Sequence, residues 1–310
     1  MNLQLIETPE DIRAYREAFD AYLADDLIPS SDLCEPMDAE DLAYFRSDEY
    51  RDAIEKLCAR PMDTAHRYFV AEGGERIGFC LCCTYHSEDG KCFVMEMCIF
   101  APYRGRGFGK ACFRLLQKRE RAAYYELGTH SNRARRFWES LGFRPNGYNT
   151  DGDFMMVLPP EELSIRCEAL READISQIFT LQANYKRAIG EPQLTEEQRM
   201  ALREAIDDGA IRFYVAKYRT RVVGTCSVSC IFSTFQCRIA GVFEDFYIEP
   251  VFRGQGIARQ LTKYVQITCA QEGIVSLWVG CAPCDEPMYR ALGFGTKLGA
   301  LLAWNREQLK

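Results

Sequence analysis

The chain has 310 residues, 47% of them apolar and 27% charged, which excludes a disordered or fibrous protein and leaves room for two domains with cores of their own. A formal net charge of -7, without any block of Lys and Arg able to track phosphates, argues against a nucleic-acid partner and mildly favours a cationic one. No run reaches the roughly 18 apolar residues of a membrane span. The start, MNLQLIETPE, lacks the basic and apolar regions of a signal peptide, and the 15 scattered cysteines read as reduced thiols of a cytoplasmic protein.

In chain order, a first strand leads into helices that extend to about Arg60, a stretch without an interpretable motif. His66 to Cys80, HRYFVAEGGERIGFC, reads as two strands about a polar turn. The apolar run Phe93 to Phe100 is strand-like, and a Gly-rich turn, RGRGFGK, follows from Arg104 to Lys110. The next helix sets Ala111, Leu115 and Leu116 near the helical period. FWESLGF, Phe137 to Phe143, ends a further helix, and closing strands include Phe154 to Leu158, which Pro159 and Pro160 stop.

The order then repeats. A helical start follows Asp174, with Ile175, Ile178 and Phe179 periodic, and the helical stretch Leu181 to Asp208 is again without a motif. Ile211 to Cys226, IRFYVAKYRTRVVGTC, matches the first strand pair, YIEPVFRGQGIAR from Tyr247 to Arg259 matches the first Gly-rich turn with its strand, and MYRALGF from Met288 to Phe294 matches FWESLGF. The helix after the second turn sets Ile257, Leu261, Tyr264 and Val265 on one face. Three matches in one order read as a duplicated domain, residues 1–160 and 161–310, each a mixed α/β sandwich with closing strands at its end.

Both turns join a strand to a helix, where unpaired backbone N–H groups form an anion site that glycines let a phosphate approach. Neither is a dinucleotide fingerprint, because Lys110 and Arg259 stand where the third glycine is needed, and neither has the Gly-Lys-Ser/Thr ending of a P-loop. What remains is Arg-x-x-Gly-x-Gly, Arg104 to Gly109, and Arg-x-x-Gly-x-Ala, Arg253 to Ala258. These motifs resemble the coenzyme loop of the GNAT superfamily of N-acetyltransferases. Asn132, Ala134, Phe137, Trp138, Gly142 and Phe143 are similar to its second hallmark.

The resemblance covers nearly the whole chain and implies two tandem acyl-CoA N-acyltransferase domains of α/β (α+β mixed sheet) class, with acetyl-CoA as donor and coenzyme A as product. It implies that the loops Arg104, Gly105, Arg106, Gly107, Phe108, Gly109, Lys110 and Arg253, Gly254, Gln255, Gly256, Ile257, Ala258, Arg259 hold the pyrophosphate. Ile99 and Ile248 would then pair with the pantetheine arm. Asn132 is either a helix cap or a pantetheine contact.

Acetyl transfer to an amine requires the amine to lose a proton, at a cost of roughly 4 kcal/mol at pH 7 for a pKa near 10, and the departing thiolate to gain one. In the second copy Glu244 precedes the strand end and Tyr289 stands at the family's position for the proton donor. The stretch FEDFYIEPVFRGQGIA is similar to diamine acetyltransferases, in which the matching glutamate is a candidate base. The first copy has Met95 and Trp138 at those places, and an indole has no proton to give near neutral pH. Chemistry is therefore expected in the second copy, with Glu244 as base and Tyr289 as acid. Strand alternation aims Glu244 and Asp245 at opposite faces. Glu96, which aligns with Asp245, keeps open a reading in which the first copy is active.

The expected acceptor is a small-molecule amine, with no nucleic acid, membrane or metal involved, in a monomer or homodimer. Cys281 and Cys284 form a C-x-x-C without the second pair or histidine that zinc needs. The competing reading is a binding module that recognises acyl-coenzyme A or a protein without turnover.

Overall fold

Thr8 begins the first helix: its Oγ accepts the Asp11 N–H at 3.1 Å, and Pro9 occupies a position where a missing N–H is no loss. That helix, α1 (Pro9–Tyr22), follows strand β1 (Asn2–Leu5) and tightens into a π turn at Leu23–Leu27. An Asp38–Asp41 capping box starts α2 (Ala39–Arg46), and Ser47 caps α3 (Asp48–Cys58). The computed structural model describes residues 1–27, 32–33, 38–234 and 236–299. Within it the chain divides into two units, Met1–Ser164 with Arg219–Arg221, and Ile165–Tyr218 with the chain from Val222 onward.

The first unit continues with β2 (Thr64–Glu72), β3 (Glu75–Thr84), β4 (Lys91–Ile99), α4 (Phe108–Glu120), β5 (Tyr124–Thr129), α5 (Asn132–Glu139), β6 (Arg144–Tyr148) and β7 (Phe154–Leu158). Its seven strands lie in the order β1-β2-β3-β4-β5-β7-β6, antiparallel except where β4 meets β5. Alternation along β2 builds a core on each face. Tyr68 packs with Phe113 and Leu116 of α4, while Phe69 packs with Phe19 of α1 and Phe79. Full burial of each such ring contributes roughly 1.5–3 kcal/mol over exposure.

The second unit runs β8 (Ile165–Ala169), α6 (Ile175–Ile189), α7 (Glu196–Asp207), β9 (Ile211–Tyr218), β10 (Arg221–Ser233), β11 (Arg238–Ile248), α8 (Ile257–Gln271), β12 (Leu277–Trp278) and α9 (Glu286–Ala291). Its strands lie in the order β12-β11-β10-β9-β8, the same succession as β5-β4-β3-β2-β1. The copies differ before their second strands, where α7 stands in place of α2 and α3. Residues 300–310, part of the expected closing strands of this copy, lie outside the described residues. Asp174 sits at the start of α6 without capping it, and one oxygen of its carboxylate is bound to the Lys217 Nζ at 2.6 Å.

Strand alternation does not hold at Glu244 and Asp245. Thr225 pairs with Tyr247 but Ser227 with Glu244, so β11 carries an extra residue there, and Asp245 turns to φ +53°. This bulge re-aims both carboxylates, and Asp245 accepts a hydrogen bond from the Ser227 hydroxyl at 3.0 Å. The equivalent bulge occurs in β4, where Leu81 pairs with Glu96 and Cys82 with Val94, leaving Met95 extra. Among the described residues no helix is long and apolar enough to cross a membrane.

Candidate active site

The first unit's sheet opens at the β4 bulge. Parallel pairing between β4 and β5 runs from Lys91–Tyr124 to Phe93–Glu126 and stops there, so Val94 to Ile99 face a gap. A cavity of about 600 Å³ fills it, bounded by Val94–Ile99 on one side and Leu127–Ser131 on the other. Such a volume falls in the range of about 300–1,000 Å³ typical of small-molecule sites.

One end of the cavity is the Gly-rich turn, with Ile99, Arg104, Gly105, Gly107, Phe108, Gly109 and Lys110 in its wall. Gly107 takes φ +83° as the residue before α4, with no side-chain cap, so the first amides of the helix are left open to the cavity. A Cβ added at Gly105 or Gly107 would meet nothing within 4 Å. These glycines are thus required by backbone angle, and the space beside them is free for an anion. At Gly109 the reason differs, since a Cβ would stand 3.0 Å from the Phe137 ring. The residues present therefore fit a coenzyme pyrophosphate.

Arg104, which the resemblance placed among the residues holding the pyrophosphate, is engaged within the protein. Its Nε donates to the Ile99 carbonyl at 2.6 Å and its two terminal nitrogens reach Asp26 at 2.6 and 2.5 Å. It is a strut between the loop, the strand end and the π turn. Arg106 lies over the Phe108 ring at 5.0 Å. Asn132 is neither cap nor cavity wall: Ser131 caps α5 through the Ala134 N–H, and the Asn132 N–H and amide both bind Asp32. The cap falls one residue earlier than the motif indicated.

At the other end stand Glu96 and Tyr22. Burial raises the Glu96 carboxyl to about 7, against the opposing effect of a hydrogen bond from the Tyr22 hydroxyl. Burial, and then the neighbouring Glu96, raises the Tyr22 phenol as well. A carboxyl that titrates near neutrality beside an open cavity is suited to take a proton from an ammonium group. Trp138, at the position of the expected acid, packs its ring on Phe113 and Phe143 at 5.6 and 5.1 Å and belongs to the core.

The second unit repeats the loop geometry. Gly254 and Gly256 take φ +77° and +80°, Gly256 precedes α8, and Arg253 Nε donates to the Ile248 carbonyl at 2.8 Å. Ile257 is buried, Ala258 replaces the second glycine, and Gln255 bonds back to the Val251 carbonyl while Arg259 is exposed. Glu244 is exposed, and its carboxyl is raised by partial burial and by Asp245. Tyr289 packs against Phe246 and Phe294 at 6.2 and 5.9 Å, and burial raises its phenol. Tyr22 and Asp26, which sequence reasoning did not single out, reach the first cavity from α1 and the π turn. Nothing local in their sequence marks them.

A splayed parallel strand pair, a bulge beside it and a capless helix start define an acyl-CoA N-acyltransferase fold, present twice. The family model described as acetyltransferase (GNAT) domain matches residues 64–145 and 209–296, and the chain belongs to that family. Among solved structures, it is similar to an acetyltransferase of Trypanosoma brucei at 20% identity and TM-score 0.39, over 46% of this chain and 99% of that one. A predicted acetyltransferase with acetyl-CoA from Clostridium acetobutylicum is 18% identical, with TM-score 0.42, over 47% of this chain and 98% of that one. Glucosamine-6-phosphate N-acetyltransferase from Arabidopsis thaliana is 17% identical, with TM-score 0.39, over 46% and 98%. No curated protein sequence matches the chain.

Proposed function

We propose that the chain transfers an acetyl group from acetyl-CoA to the primary amine of a small molecule, and that the first unit carries the chemistry. The observation that carries this reading is the continuous cavity from the Gly-rich turn at Gly107 to the raised carboxyl of Glu96. The opened amides of α4 bind the pyrophosphate, and the free edge of β4 near Ile99 orients the pantetheine arm. Acetyl-CoA, when bound, supplies the thioester carbonyl. Glu96 accepts the amine proton, directly or through one water, and so frees the nitrogen lone pair for attack. With Trp138 in the core, no side chain among the described residues of the first unit stands as the acid, and the departing thiolate takes the second proton that the attacking nitrogen sheds as the C–S bond breaks and the amide forms.

The cysteines among the described residues are all free thiols, which fits the reducing compartment expected of a cytoplasmic enzyme, as monomer or homodimer. A second reading places the chemistry in the second unit, with Glu244 as base and Tyr289 as acid. It is favoured by the packing of Tyr289 on Phe246, two residues from Glu244. Release of free thiol from acetyl-CoA with a mixed amine panel separates enzyme from binding module. Under the first reading, Glu244→Gln and Tyr289→Phe each retain wild-type turnover within about twofold, because neither residue belongs to the unit that carries the chemistry. A loss of about 10² or more in either would move the chemistry to the second unit.

A further inference from the structure

Around Glu96 the described lining of the first cavity is largely apolar, with the Tyr22 hydroxyl bound to that carboxyl. Glu96 and Cys98 lie on the same side of β4, toward the α1 face, where Cys98 joins the cluster of Phe19, Leu23 and Phe79. At the edge of that cluster Tyr22, Leu27 and Phe45 pack, and all three also line the cavity. Met95, extra in the bulge, adds a thioether to the wall where the second copy has Glu244. Among the described lining residues the carboxylates are Asp26 and Glu96. Asp26 is held by both terminal nitrogens of Arg104, so its charge is compensated within the protein.

We infer that the first unit's acceptor is a primary amine with a single positive charge carried on an aromatic or aliphatic body, and that diamines and polycationic aminosugars are poor acceptors there. This rests on the assignment of the acceptor end to Glu96. One carboxylate can meet one ammonium group. A second ammonium would be buried against Tyr22, Leu27 and Phe45 with no further uncompensated carboxylate among the described lining residues, while a ring or alkyl chain would replace water on the same surface. Specificity here comes as much from the lack of a second uncompensated carboxylate among the described lining residues as from the apolar contacts.

The test compares phenethylamine and hexylamine with 1,4-diaminobutane and an aminoglycoside on the full chain. One measurement is turnover with acetyl-CoA, and the other is calorimetric binding in the presence of coenzyme A. The monoamines are expected to exceed the polycations by about 10²-fold in kcat/KM and to bind more tightly. Met95→Glu, which adds the carboxylate found in the second copy, is expected to improve the diamine at least about tenfold relative to hexylamine. Preference for the diamine or aminoglycoside in wild type, or an unchanged ratio in a folded Met95→Glu, overturns the inference. Selective monoamine binding without any turnover would support it while removing the proposed transfer reaction, and absence of binding by every amine would overturn both.

Discussion

Glu96→Gln is expected to lower kcat by about 10² to 10⁴ while leaving the affinity for coenzyme A unchanged, because the amide keeps the shape of the side chain and removes only its basic site. The pH profile gives the sharper signature. Glu96 acts when ionised, so wild-type kcat/KM rises with pH through the value of about 7 to which burial pushes the carboxyl, and this limb disappears in the variant. Stability moves in the opposite sense. The folded carboxyl titrates above its ordinary value of 4.5, so between about 4.5 and 7 the folded state holds more protons than the unfolded one, and wild type loses stability as pH rises across that window. Denaturant melts should show Glu96→Gln equal to wild type below pH 4.5 and more stable above pH 7, by at most about 3 kcal/mol. Equal melts at pH 8 together with wild-type turnover would remove Glu96 from the mechanism.

Gly107→Glu is expected to weaken coenzyme A binding at the first unit by about 10² or more, since its carboxylate would occupy the space beside the open α4 amides and repel the pyrophosphate. A side chain at φ +83° is itself strained, by roughly 1–2 kcal/mol. Gly107→Ala separates the two effects: it carries the strain alone and should keep most of the affinity. Calorimetry on both variants, with Gly256→Glu as the counterpart in the second unit, gives the comparison. If Gly256→Glu abolishes acetyl transfer and Gly107→Glu spares it, the working loop is the second one.

The repeat, the strand pairs and both Gly-rich turns were legible because each depends on a short local pattern: alternation, paired turn glycines and a helix start that needs an open amide. The location of the cleft was not. It depends on Tyr22, Asp26 and Phe45 reaching β4 and the loop after it from as far as 78 residues away in sequence, and on a bulge that alternation does not foresee. The engagement of Arg104 by Asp26 was not legible, because Asp26 lies in a stretch with no motif. Assigning the chemistry to the second copy followed from Tyr289 and Glu244, whose carboxyl is also raised, whereas the proposal for the first copy rests on its cavity together with Glu96. Single residue types carried that assignment, and enclosure is a property of several elements together.

The assignment of the chemistry to the first unit is tested most directly by a crystal structure of the full chain grown with coenzyme A. The account predicts pyrophosphate density on the amides following Gly107, the pantetheine arm along β4 beside Ile99, and the thiol directed toward Glu96. Coenzyme bound only at the Gly256 loop, with its thiol toward Glu244 and Tyr289, would contradict it.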